Sequence, residues 1–377
     1  MLIGGANEFQ EYVHGYYGIM SDLNSDDMIN VAKENFVQKN EVDQEEHERV
    51  AAIKPVRICI TNADSIVAYG VIGALTKGEV LGPGRDIALD LYHSKLSSSA
   101  LQGVAMEIED LALAHVRESR VVTDLDRTLE ECQVLIILDE VVREPEETSE
   151  EWLQRNYRHF LSYSEALERL HNPDMKVIIS GRGPVNFIAS MMLRFAPSIS
   201  PANLIAVSWL VENRAKGVLA DRLKVNSALI TDLLVWGSVN GTHALDVSRG
   251  KLYDYDGAVW GPRPFSVSLK DMVHDDGWLE TKFTALVDER LSVTEASLGH
   301  RAAMSAGDGI AALLRDWWMG SDTGEMHSLA VASQGRLTKP AVLNLLRPMD
   351  HLLILSKFAL LLLFSSVVSP HFFNLSS

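Results

Sequence analysis

From Pro55 onward, short apolar runs alternate with longer amphipathic stretches, and that alternation leaves few folds open. The runs are Val56–Ile60, Ile87–Leu91, Gln133–Leu138, Lys176–Ser180 and Asn203–Val207. Helical periodicity separates them around Val67–Thr76, Leu101–Ala114 and Trp152–Arg169. Such runs lack the polar/apolar alternation of a half-solvated sheet, so both of their faces are expected to be buried. Strands joined by right-handed helical crossovers then predict an α/β fold, a Rossmann-type doubly wound parallel sheet. Beyond Ser208 come a helical stretch, the strand-like Leu233–Trp236 and a helical run from Trp278 to Met319, which predict a second, α+β domain. The expected organisation is a leader and linker over 1–54, the Rossmann-like domain over 55–207, the second domain over 208–336 and an apolar tail over 337–377.

Charge narrows the partners. With 51 acidic against 34 basic residues the formal net charge is -17, which argues against unaided binding to nucleic acid or anionic membrane. Cys59 and Cys132 sit inside apolar strand-like runs and read as buried reduced thiols, as suits a cytoplasmic protein. The histidines are scattered and no Cys-x-x-Cys occurs, so no metal site is expected. The opening residues lack a basic region leading into a long apolar stretch, and no signal peptide is expected. Leu2-Ile3, a Gly4-Gly5 turn and a helix near Asn7–Gly18 precede a charge-rich connector with Asp43, Glu45, Glu46 and Glu48.

Several segments carry a resemblance when taken in order. They are Ile58–Tyr69 (strand, tight turn, helix), Ala105–Leu113, Glu212-Asn-Arg-Ala-Lys216, Trp236-Gly237, Ala303–Ala306 and Arg315–Gly320. Over 56–336 these resemble the cytosolic malate dehydrogenase type of the lactate/malate dehydrogenase family, in a divergent form. The leader Gly4-Gly-Ala-Asn-Glu-Phe9 resembles the last strand and helix of a glutaredoxin-like domain. The family resemblance implies NAD as cofactor, hydride transfer between malate and oxaloacetate, and a homodimer paired through helices such as Leu101–Ala114.

Against that pattern the departures are concentrated at the chemistry. Where the family's first turn has glycines that let the backbone approach a pyrophosphate, this chain has Asn62, Ser65 and Ala68. Asn tolerates left-handed backbone angles and Ser65 can cap a helix, so the turn itself is expected to survive. His93 stands at the acidic ribose-binding position; Asp90, three residues earlier on the strand, should project from the opposite face. Asp139 replaces a glycine beside the cofactor. Of two substrate arginines Arg143 remains, the second position is Ser149, and the loop carries Glu144, Glu146, Glu147 and Glu150. An Asn-Pro-Ala-Asn element is reduced to Gly183, Pro184 and Asn186. The carboxylate that would orient the catalytic histidine is Val211, the substrate arginine after it is Arg214, and the histidine itself is Val239. Glu212 points elsewhere on its helix, and His243 lies four residues past Val239.

Hydride transfer from a hydroxyl-bearing carbon needs a positioned base, so no catalytic residue is intact. The expectation is a malate dehydrogenase-like pseudoenzyme that binds a small anion, a nucleotide or a protein partner. An active NAD-dependent malate dehydrogenase and a purely structural dimer subunit stay open beside it. The tail differs from the family after Gln334-Gly335, and its run Leu352–Ser369 is at the short limit for a membrane span. Lys357 inside that run costs about 2.5–3.5 kcal/mol near a bilayer centre. A truncated or replaced terminus is therefore expected, with a tail anchor as the alternative.

Overall fold

The computed structural model describes residues 54–332 except 83, 94–97, 238–242, 254–265 and 322–326. The leader, the acidic connector, the tail with its Leu352–Ser369 run, and Val239 lie outside the described residues.

Six parallel strands form the centre: β1 (Val56–Thr61), β2 (Ile87–Tyr92), β3 (Val116–Val122), β4 (Val134–Ile137), β5 (Lys176–Ile179) and β6 (Leu204–Val207). A seventh, β12 (Leu329–Val331), pairs antiparallel with β6, giving the order β12-β6-β5-β4-β1-β2-β3. The inner strands are apolar on both faces because each face is covered. Cys59, Leu135, Ile137, Val177 and Ile179 join one core, while Ile58, Ile60, Val134, Ile136 and Ile178 join the other. The strand order reverses between β1 and β4, which opens a crevice at their carboxyl ends.

The crossover helices are α1 (Ile66–Leu75), α2 (Ser98–Asp110), α3 (Leu125–Glu130), α4 (Ser149–Leu170) and α5 (Val185–Phe195). Helix α4 begins in a reciprocal capping box between Thr148 and Glu151. Then α6 (Trp209–Leu223) leads into two small sheets. One joins β7 (Ile230–Thr231), β10 (Lys251–Leu252) and β11 (Val267–Ser268); the other joins β8 (Leu234–Gly237) to β9 (His243–Asp246). Helices α7 (Leu269–Val273), α8 (Asp276–Thr281), α9 (Phe283–Leu298) and α10 (Ala303–Met319) follow.

The doubly wound expectation holds, with corrections. The sheet has seven strands where five were expected. Strand β3 reads Val-Arg-Glu-Ser-Arg-Val-Val, and its charges hid it. The run Trp278–Met319 is helical, as expected, and is divided: Gly299, at φ +70°, ends α9, and α10 restarts at Ala303. Helix α10 crosses α1 at Gly70 and Gly307, where backbone meets backbone. Cys59 and Cys132 are buried and unbridged, and burial pushes the Cys132 thiol up to about 12.

Candidate functional site

The first turn keeps its shape without glycine. Asn62 sits at φ +50°, and its side-chain amide donates to the Leu138 carbonyl at 3.1 Å, tying the ends of β1 and β4 together. Thr61 Oγ1 accepts from Leu138 N at 3.0 Å across the same gap. Ser65 caps α1 by accepting from Ala68 N at 3.2 Å. The local chemistry read from Asn62 and Ser65 is what the structure uses.

Titratable side chains near this turn and at the ends of β1, β2 and β4 are engaged with one another. His93 Nε2 lies 3.5 Å from Asp64 Oδ1, so this histidine is engaged with the turn itself. Asp90 is fully buried on the opposite face, between Arg57 (2.9 Å) and Arg120 (2.6 Å), as its position along β2 required. Asp139 is 7% exposed and accepts from His159 (3.0 Å) and Tyr163 (3.0 Å). Burial works against its charge, but bonds from His159, Thr61 and Tyr163 win and hold the carboxyl below the usual range. Glu140 lies over Gly181, where an added Cβ would come within 3.1 Å of Oε1, and it accepts from Arg182 N at 2.9 Å.

The crevice itself is a cavity of about 350 Å³ bounded by the ends of β4 and β5, by α6, by α9 and by the start of α10. Arg214 lines it from α6. Its Nε donates to Leu210 O at 3.1 Å, and burial lowers its pKa while Asp288 and Glu295 oppose the shift. Opposite stand Arg182, Arg290 and Arg301, with Glu140 and Glu295. Arg301 pairs with Glu140, Arg182 Nη1 reaches Glu295 at 3.3 Å, and Arg290 reaches Asp221 at 2.6 Å.

Not every residue singled out in the sequence enters this cavity. Arg143 donates twice to the Glu147 carbonyl of its own loop, at 3.0 and 2.9 Å, and is exposed; Ser149 is the first residue of α4. Asn186 is buried and donates to Gly237 O at 3.1 Å, joining α5 to the end of β8. Gly183 is buried, and a Cβ there would meet Asn156 Oδ1 at 3.3 Å. Val211 is 1% exposed within the apolar core that includes Ala215 and Leu219. Glu212, fully buried, binds Lys216 at 2.8 Å and accepts from Ser328 N at 2.9 Å. His243 Nε2 lies 3.3 Å from Asp288 Oδ1 on α9. The pairing partners Arg301, Glu295 and Asp288 were missed in the sequence, where no local signal marks them.

Comparison with known proteins now places the scaffold. Residues 65–205 match the family described as "lactate/malate dehydrogenase, NAD binding domain", and residues 1–51 match "Putative malate dehydrogenase 1B N-terminal domain". "Putative malate dehydrogenase 1B" of Bos taurus is 31% identical over 340 residues, covering 90% of this chain and 71% of that protein. The chain belongs to the lactate/malate dehydrogenase family. The protein of the same name from Branchiostoma floridae is 37% identical over 335 residues, 89% of this chain, and the chain spans 64% of that relative's length. Among solved structures of the family, malate dehydrogenase from Naegleria fowleri superposes with a TM-score of 0.66 at 25% identity, over 75% of this chain and 82% of that one. A scaffold shared with dehydrogenases does not by itself transfer their chemistry, because activity resides in the site.

Proposed function

We propose that this chain is a catalytically impaired member of the lactate/malate dehydrogenase family whose crevice binds a small anion, with a Rossmann-like domain of the family's NAD-binding type at 55–207 and a domain like the family's carboxy-terminal one at 208–336. The observation that carries this reading is Val211. At the position where the family resemblance calls for a carboxylate to orient a histidine, an aliphatic side chain is packed into the core at 1% exposure. The sequence pairs it with Val239 at the histidine position. Glu212 does not take over, because both of its oxygens are committed to Lys216 and Ser328 N. A base contributes typically 10²–10⁴-fold to such a reaction, and here neither the base nor its orienter stands in place.

The residues present do not fit a dinucleotide well. A capped helix and a left-handed turn remain at Asn62–Ser65, but Asp139 and Glu140 bring two carboxylates to the end of β4, and His93 faces Asp64. Two phosphates laid there would meet charge of their own sign. Calorimetric titration with NADH tests this: dissociation constants well above the low micromolar range are expected, and an ordinary dehydrogenase affinity would overturn it.

A second reading, an active NAD-dependent malate dehydrogenase, draws on one observation: the His243–Asp288 pair, at 3.3 Å, is a histidine–carboxylate couple built from other elements. Malate-dependent NAD⁺ reduction that disappears in His243→Ala would establish it. A cytoplasmic location and a homodimer paired through α2 are what the family resemblance implies. Among the described residues no helix is long and apolar enough to cross a membrane.

A further inference from the structure

We infer that Ser266 is a phosphorylation site whose phosphate docks on Arg249 and Lys251, in a groove of the small three-stranded sheet. Asp232, Ser248, Arg249, Lys251, Ser266 and Ser268 line this groove, a cavity of about 430 Å³ that shares no lining residue with the crevice.

The strand ladder explains why these side chains meet. Strands β10 and β11 run antiparallel, with Lys251 opposite Ser268 and Leu252 opposite Val267. Leu252 points into the core at 1% exposure, so Lys251 and Ser268 project from the other face. Ser266, two residues before Ser268, returns to that face diagonal to Lys251, where such positions lie about 7–8 Å apart. A turn in which Gly250 N donates to Val247 O brings Arg249 to the same rim.

Charge decides what the groove can hold. Among the described residues no carboxylate comes within ion-pair distance of Arg249, which acts on Asp246 only from farther away. The Asp246 carboxylate already accepts from Ser248 N at 2.8 Å and from Trp236 Nε1 at 3.2 Å. Lys251 is half-exposed and lies 3.6 Å from Asp232, a long pair. Asp232 is the only acid in the lining, and it is buried. A phosphoserine carries about −1.5 to −2 charges at pH 7 and three strong acceptor oxygens. Arg249 and Lys251 supply the donors for them from the open side.

The sequence singles out the acceptor. Of the three serines in the groove, only Ser266 has an arginine three residues before it, Arg263; Leu245 and Phe265 hold that place before Ser248 and Ser268. Serine kinases choose substrates by such charge patterns. Ser266 is partly exposed and immediately precedes β11. In the reaction the γ-phosphoryl group of ATP passes to Ser266 Oγ. A P–O bond to Oγ forms and the bond from that phosphorus to the β,γ-bridging oxygen breaks; ADP leaves with the electron pair, and the hydroxyl proton goes to the kinase's base. The effect reaches α6, because Asp232 also feels Lys216 and Glu212 of that helix. A phosphate that draws Lys251 away leaves Asp232 to Lys216.

Incubation of the full chain with magnesium, ATP and a serine kinase selective for arginine at that spacing tests the acceptor. Mass spectrometry should place the phosphate on Ser266, and Arg263→Gln should slow this labelling by about tenfold or more. The ³¹P resonance of the product, followed against pH, tests the docking. Its second pKa should lie at least about half a unit below the value near 6 of a free phosphoserine, because the two cations favour the dianion. Arg249→Gln combined with Lys251→Gln should return it to about 6. Absence of phosphate from Ser266, or a Ser266 phosphate that titrates near 6 whether or not the two cations are present, would each overturn the inference.

Discussion

Replacing Gly307 by alanine should destabilise the protein, although alanine is the better helix former. Gly307 lies in the second turn of α10 where it crosses α1, and a Cβ built there stands 2.5 Å from Gly70 C, 2.6 Å from Gly70 Cα and 2.8 Å from Val71 N. Carbon contacts are comfortable at about 3.5–4.0 Å, so the helices must part by about 1 Å. All three atoms are backbone, and no rotamer change relieves them. Overpacking of this kind costs about 3 kcal/mol at the upper end of its range. The helical preference for alanine returns about 1 kcal/mol, leaving a net loss of about 2 kcal/mol. Gly73, on α1 with nothing within 4 Å of its would-be Cβ, is the internal control. Gly73→Ala should stabilise by about 0.5–1 kcal/mol. Thermal unfolding reads the difference, about 2–4 °C per kcal/mol for a domain of this size. Because Val67, Ala302 and Ala306 carry the same helix pair to the crevice, Gly307→Ala should also weaken ligand binding. A Gly307→Ala protein as stable as Gly73→Ala would show that the two helices are not in backbone contact.

Other substitutions probe the polar interior. Glu212→Ala strands Lys216 and leaves Ser328 N without its acceptor, and should cost about 3–5 kcal/mol in denaturant unfolding; a loss below 1 kcal/mol would contradict the burial of that pair. The Asp139 carboxyl has its folded pKa held down despite burial. It therefore adds stability that is complete above its unfolded value of about 3.9 and is lost as pH falls through the lower folded value. Asp139→Asn should flatten the stability profile below about pH 4, and an unchanged acid limb would refute the assignment. Single reversion of Val239→His should restore no malate oxidation, because groups that act as a unit are strongly non-additive. Only Val239→His with Val211→Asp, Ser149→Arg, Gly183→Asn and a glycine-rebuilt first turn has a physical case for activity, and rescue by Val239→His alone would refute this.

What the sequence made legible was whatever is decided locally. Asn62 and Ser65 announce a left-handed turn and a cap because those properties belong to the side chains themselves, and strand parity placed Asp90 on the far face. Strand β3 escaped because Arg117, Glu118 and Arg120 break its apolar pattern. Two of those charges are answered across the sheet, Arg120 by Asp90 and Glu118 by Arg57. Gly299 is a residue that can end a helix, but it stands inside a long periodic run that conceals the break. The ion pairs of the crevice were not available at all, since nothing near Glu140 points to Arg301 and nothing near Arg182 points to Glu295. Loss of catalytic residues is visible position by position along a sequence, whereas the contacts that replace them form only in the fold.

On the function proposed above, this crevice, built on a dehydrogenase scaffold, lacks a working hydride-transfer site. The direct measurement follows NADH absorbance with malate and NAD⁺, and with oxaloacetate and NADH, for the unmodified chain purified from a host deleted for its own malate dehydrogenase. No rate above that of a mock preparation is expected. Turnover near the enzyme median of about 10 s⁻¹, proportional to the amount of chain added, would contradict it.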